Sequence, residues 1–138
     1  MSQSPDDVPK VIVGPILTWA VCGICALVFA ASSTLGDLNT WDAVSALGYL
    51  PAARIWGGEY WALWTSVFVH FELWHIAFNL YWLWTLGRSL ELTAGRASWA
   101  ALFILSAGIS SVAQMAVSGD TGVGASGVVY AFFGFMWA

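Results

Sequence analysis

The sequence predicts an all-helical protein that crosses a membrane several times, and three observations lead to this fold class. Hydrophobic residues make up 59% of the 138 residues and charged residues only 9%. The mean hydropathy is +0.76, far above the value that is typical of a soluble domain. Residues 11–31 and 97–117 contain no charged side chain, and each stretch is long enough to cross a bilayer as a helix.

The charged residues exclude one class of partner and indicate a topology. The net charge is −4, and no basic cluster is available to hold phosphate groups, so nucleic acid is not expected as a partner. Lys10, Arg88 and Arg96 flank the expected spans on one side, whereas Arg54 lies on the other. The positive-inside rule therefore predicts a multi-pass protein whose N-terminus is cytoplasmic.

The first expected element is a span over residues 11–31, which follows a polar lead over residues 1–10. The lead carries Asp6 and Asp7 rather than the basic start of a signal peptide, so we expect a retained helix, with a signal anchor as the alternative. Residues 32–71 contain glycine, proline and several tryptophans among acidic residues. Because tryptophan favours the headgroup layer, we expect this stretch to lie along the membrane interface as short helices.

Three apolar segments complete the order of elements. A second span is expected over residues 72–93, a third over 97–117 and a partial fourth over 126–138. A helix as short as the last segment covers about 20 Å, whereas the hydrocarbon core is about 30 Å thick. The sequence therefore predicts one domain with three full spans and a partial fourth, and we interpret the chain as a fragment that ends inside the fourth span.

A group of polar side chains in the apolar segments suggests a serine nucleophile. Ser126 lies at the start of the last apolar run, and His75 and Asn79 are four residues apart near the start of the second span, about 40° from each other around a helix. The expected topology places all three near the outer membrane face. A reacting serine needs a base, and the oxyanion that it forms needs donors, which amide, imidazole and backbone N–H groups supply.

Simpler explanations exist for each of these residues. Ser126 alone could cap a helix, and His75 and Asn79 alone could form hydrogen bonds between helices, which remains the alternative for that pair. His70 and His75 are five residues apart and lack the spacing of a zinc-binding helix. We therefore expect no metal and no organic cofactor.

Two motifs resemble those of the rhomboid intramembrane serine proteases. The segment HFELWHIAFN, from His70 to Asn79, resembles the family's His-x4-His-x3-Asn segment, and GASGVVYA, from Gly124 to Ala131, resembles its Gly-x-Ser-Gly nucleophile segment. The match extends from roughly Trp61 to the end of the chain. It implies a rhomboid-like helical bundle in the lipid bilayer that hydrolyses transmembrane protein substrates near the outer face, in a bacterial inner (plasma) membrane.

The resemblance also implies roles for individual residues. Ser126 would be the nucleophile, and His75 and Asn79 would join the backbone N–H of Ser126 in the oxyanion hole. His70 would hold the outer loop rather than react. Tyr130, one helical turn after Ser126, resembles the tyrosine on which the family's catalytic imidazole packs.

Two departures from the family pattern concern an arginine and the general base. Ala62 follows Trp61 at a position where the family commonly has arginine. Glu91 and Gly95, by contrast, agree with the family pattern, because they resemble its structural Glu and Gly at the cytoplasmic end. The family's base is a histidine on its sixth helix, and both histidines of this sequence match other positions. We therefore expect these 138 residues alone to be inactive.

The missing C-terminal helices of the same protein are expected as a partner. Gly127, Ala131 and Gly134 form a stripe of small residues along the last apolar run, where a helix backbone could approach closely. The alternative function is that of a noncatalytic rhomboid-like membrane protein that binds client transmembrane helices.

Overall fold

A computed structural model describes residues 14–35, 38 and 40–138. The expected polar lead, with Lys10, and the first residues of the expected first span lie outside the described residues. The described part of the chain contains helices and turns and no strand, which confirms the all-helical fold class.

Seven α-helices and one short 3₁₀ helix follow one another along the described residues. They are α1 (Ile16–Ser32), α2 (Trp41–Ala46), α3 (Ala52–Trp56), α4 (Ala62–Thr65), the 3₁₀ helix Ser66–Phe68, α5 (Leu73–Thr93), α6 (Gly95–Ser118) and α7 (Ser126–Trp137). Among the described helices, α6 alone is both long and apolar enough to cross a membrane, judged by length and composition, and α1 and α7 are shorter apolar helices. The number of spans stays a prediction.

Helix α5 lies at the centre of the bundle and packs against α1, α6 and α7. Leu83 of α5 and Phe132 of α7 are fully buried in the core that these helices share. The Trp99 ring stacks on Phe103 with 5.2 Å between centroids and meets Phe132 edge-on at 5.3 Å. In a membrane such close packing stabilises a bundle mainly through dispersion contacts, because lipid is as apolar as the side chains.

The carboxylate of Glu91 joins the end of α5 to the beginning of α1. Its oxygens accept hydrogen bonds from the backbone N–H groups of Leu17 (3.0 Å) and Thr18 (2.9 Å) and from the Thr18 hydroxyl (2.9 Å). The first N–H groups of a helix have no partner within the helix, so Glu91 satisfies donors that would otherwise be buried without one. Arg96 approaches the same carboxylate at 3.5 Å.

The connection between α1 and α5 packs through its short helices on α6. Leu50, Ile55, Ala62 and Leu63 form a second small core with Met115 of α6. Ala62, the position at which the resemblance leads us to expect an arginine, is completely buried. The position therefore holds an apolar packing contact and has no room for a charged side chain without rearrangement.

The Trp64 side chain attaches the connection between α1 and α5 to α6. The indole Nε1 of Trp64 donates to the carbonyl oxygen of Ile104 at 2.9 Å. The ring lies over Gly108, where an added Cβ would come within 3.1 Å of it. The hydrogen bond and the ring contact of Trp64 thus attach the loop to α6.

Candidate functional site

The nucleophile segment is a glycine-containing turn between α6 and α7. Gly119, Gly122 and Gly124 all have positive φ, of 84°, 70° and 94°, a conformation that other residues adopt only with strain. Helix α7 begins at Ser126, and its cap is Ala125, with no side-chain capping bond. The explanation of Ser126 as a helix cap is therefore wrong.

Ser126 is half-buried and is one of the residues that line a cavity of about 450 Å³. Within the described part of the chain the hydroxyl has no hydrogen-bond partner. Polar residues of the 3₁₀ helix, of α6 and of the turn before α7 line the same cavity, namely Ser66, Ser110, Ser111, Gln114 and Thr121. A cavity of this polarity can hold water beside the serine.

His75 lies on the first turn of α5, half-buried, against the backbone of Gly124. An added Cβ at Gly124 would come within 2.8 Å of both Cε1 and Nε2 of His75. The imidazole edge thus touches the chain two residues before Ser126. This close approach and the positive φ together explain why the position holds glycine.

Asn79 follows one helical turn after His75 and is buried. Its Nδ2 donates to the His75 carbonyl oxygen at 3.0 Å, and its Oδ1 has no partner among the described residues. The amide nitrogen carries two hydrogens, so one of them is not used by this bond. Because the bond stays within α5, Asn79 does not join two helices through it, and it does not line the cavity beside Ser126.

His70 is completely buried behind His75, in the loop that precedes α5. Its Nδ1 lies 3.1 Å from the Phe68 carbonyl oxygen, and the two imidazole rings meet edge-on with 5.1 Å between centroids. Burial, helped by the neighbouring His75, lowers the pKa of His70 to about 4, although the bond to Phe68 acts in the opposite direction. His70 is therefore a neutral side chain near pH 7. Its contact with the Phe68 carbonyl oxygen stays within the segment that precedes α5.

Helix α7 meets α6 at Gly127, and Tyr130 of α7 borders a groove that residues of α5 also line. A Cβ at Gly127 would lie 2.4 Å from both Cβ and Oγ of Ser110, so the small residue is needed for contact with α6. No atom lies within 4 Å of the corresponding position at Gly134. Tyr130 is largely exposed and borders both the serine cavity and an apolar groove of about 250 Å³.

Sequence reasoning did not single out the polar side chains that share the cavity with Ser126. Ser110 and Gln114 are four residues apart in a segment whose lack of charge was its most visible property. That spacing places both on one face of α6, and such a polar face on an apolar helix was the available signal. Ser66 carried no comparable signal, because it lies in a stretch of mixed polarity.

A metal site does not occur among the described residues. No three His, Cys, Asp or Glu side chains come close enough there to share an ion. The group around Ser126 is accordingly built from hydroxyl, amide and imidazole groups.

Comparison with known proteins gives the family. The family model for the rhomboid domain matches residues 57–138. The curated proteins named rhomboid protease GlpG from Salmonella newport, Salmonella typhimurium and Salmonella choleraesuis are each 39% identical over 124 residues, which is 90% of this chain and 43% of the relative. The chain thus spans less than half the length of the curated relatives that it matches. With the match covering more than half of the chain, this chain belongs to the rhomboid family.

Proposed function

We propose that the protein containing this chain is an intramembrane serine endopeptidase that cleaves transmembrane helices near the outer face of a bacterial inner membrane. The observation that carries the proposal is the position of Ser126. Ser126 lines a cavity of about 450 Å³ and follows a turn against which the His75 imidazole packs, and its hydroxyl has no partner among the described residues. A nucleophile, room for water and nearby donors are what acyl transfer requires.

The proposed reaction has two steps. The Ser126 oxygen attacks the scissile carbonyl carbon, its proton passes to a general base, and the peptide C–N bond breaks as the amine leaves with a proton. Water then attacks the acyl-serine ester, which releases the second product and restores the hydroxyl. We assign the oxyanion to the Ser126 backbone N–H, His75 and Asn79, whose unused amide hydrogen supports that role.

We also propose that the general base lies outside these 138 residues. The chain contains two histidines. His70 is buried with its Nδ1 on the Phe68 carbonyl oxygen, and His75 is the proposed oxyanion donor. Neither shares a hydrogen bond with the Ser126 hydroxyl. Residues 1–138 expressed alone are therefore expected to leave a helical membrane substrate uncleaved.

The test is cleavage of a reconstituted transmembrane substrate by the full-length protein with Ser126→Ala. Cleavage should fall to the background of empty proteoliposomes, because no other described side chain takes the place of the nucleophile. Ser98→Ala, an exposed serine on the same bundle, is the matched control and should cleave like the wild type. Undiminished cleavage by Ser126→Ala would remove this serine from the mechanism.

The second candidate function is noncatalytic binding of client transmembrane helices. The observation in its favour is that the Ser126 hydroxyl has no basic partner among the described residues. A full-length protein that co-purifies with a substrate helix but does not cleave it, with or without Ser126, would favour this alternative.

A further inference from the structure

One backbone hydrogen bond attaches the turn before Ser126 to the 3₁₀ helix Ser66–Phe68. The N–H of Gly124 donates to the Ser66 carbonyl oxygen at 3.2 Å. Ser66 is the first residue of the 3₁₀ helix Ser66–Phe68 and is buried. Because Gly124 precedes Ser126 by two residues, this bond ties the backbone just before α7 to the 3₁₀ helix.

A serine of α6 in turn holds the backbone around Ser66. The Ser111 hydroxyl donates to the Leu63 carbonyl oxygen at 2.7 Å, and its oxygen lies 3.4 Å from the Ser66 hydroxyl oxygen. Ser111 and Ser66 are both buried, with 2% and 1% of their surface exposed. In such surroundings the Leu63 carbonyl oxygen needs a hydrogen-bond donor, because a buried carbonyl without one destabilises the fold.

This arrangement differs from that of the neighbouring serines on α6. Ser106 donates to Leu102 of its own helix at 2.6 Å, and Ser110 donates to Ala107 at 3.1 Å. Those bonds stay within one turn and connect nothing else. Of these three hydroxyls, that of Ser111 is the one whose bond leaves the helix.

We infer that Ser111 is a positioning residue for the nucleophile. It fixes the Leu63–Ser66 segment on α6, so that the Ser66 carbonyl meets the Gly124 N–H and Ser126 is held at the cavity wall. Ser111 acts through Ser66 and Gly124 rather than on the reacting atoms. The inference rests on the proposed function, because it assigns Ser111 a part in the same site.

The test compares Ser111→Ala with Ser106→Ala in the full-length protein. Ser111→Ala should lower kcat about threefold to tenfold, with KM changed by less than about twofold, because substrate binding is kept while alignment of the nucleophile is lost. The Gly124 amide should exchange its hydrogen at least about tenfold faster, since its acceptor moves more freely. Ser106→Ala should change neither quantity.

A second variant keeps the inference testable if Ser111→Ala folds poorly. Ser66→Ala removes only the longer hydroxyl contact with Ser111. It should lower kcat about twofold and make the Gly124 amide exchange its hydrogen faster than in the wild type. A Ser66→Ala variant that changes neither quantity would overturn the positioning role.

The outcomes separate this inference from the proposed function. Cleavage that is lost with Ser126→Ala but unchanged with Ser111→Ala, together with unchanged exchange at Gly124, would overturn the positioning role and leave the protease assignment intact. If the wild type cleaves nothing, the proposed function fails. Faster exchange at Gly124 with Ser111→Ala and not with Ser106→Ala would still support the positioning role.

Discussion

Replacement of Gly127 by alanine should separate α7 from α6. The added Cβ would lie 2.4 Å from both Cβ and Oγ of Ser110, whereas ordinary contacts are 3.4–4 Å, so the helices must move apart by at least about 1 Å. Overpacking of this kind costs about 1–3 kcal/mol of unfolding free energy. The clash involves Cβ itself, so no rotation of the Ser110 side chain relieves it.

The assay is reversible unfolding of the full-length protein in mixed micelles, followed by fluorescence of the ten tryptophans of this chain. Gly134→Ala is the matched control on the same helix, because nothing lies within 4 Å of its added Cβ. It should be neutral or stabilising by up to about 1 kcal/mol, since alanine favours helix more than glycine does.

A compensating substitution makes the expectation sharper. Ser110→Gly removes both clashing atoms, and the next nearest atom, the Cα of residue 110, is at the ordinary distance of 3.9 Å. The double variant with Gly127→Ala should therefore recover most of the loss, with a coupling energy of about 1–3 kcal/mol. Strictly additive effects, or a Gly127→Ala variant as stable as Gly134→Ala, would refute the reasoning.

Three further predictions concern buried polar groups. Glu91→Gln should lower the unfolding free energy by about 2–4 kcal/mol in the same unfolding assay, because an amide accepts fewer of the three bonds that Glu91 receives; equal stability would contradict its role in joining α1 to α5. Gly87→Ala should cost about 1–3 kcal/mol, since its Cβ would lie 3.2 Å from both Thr18 Oγ1 and Trp99 Nε1; Gly23→Ala, with nothing within 4 Å, should not. The pKa of His70 is lowered from 6.5 to about 4, so on acidification the unfolded chain binds a proton before the folded chain does, and the stability of the fold should decrease between pH 6.5 and pH 4. In thermal unfolding, His70→Gln should show a weaker decrease of stability over that range. Stability curves of the variant and the wild type that run parallel would contradict the lowered pKa of His70.

The fold class and the family could be predicted from the sequence, because both depend on local patterns. Long uncharged stretches allow few structures other than helices in a membrane. The two polar motifs around His75 and Ser126 each occupy one short stretch of chain, so their residue types and spacing could be identified without a structure. The family match confirms the family, and the motifs' site residues and their roles stay predictions.

The interactions that support the site could not be predicted, because each joins residues far apart in the chain. Ser111 bonds to Leu63 across 48 positions, and Glu91 bonds to Thr18 across 73. A serine in an apolar helix most often bonds to its own helix, as Ser106 does, and nothing local distinguishes Ser111 from it. The buried Ala62 is a similar case, since its packing against Met115 depends on how the loop lies on α6.

The sequence by itself determined the helical class, the family and the residue types of the two motifs that contain His75 and Ser126, since hydrophobicity and motif spacing are properties of contiguous chain. The tertiary structure decided which atoms meet. It brought His75 against Gly124, set Gly127 on Ser110 and linked Gly124 through Ser66 to Ser111. These contacts depend on distances of a few ångströms between separate helices, which only the packed bundle defines.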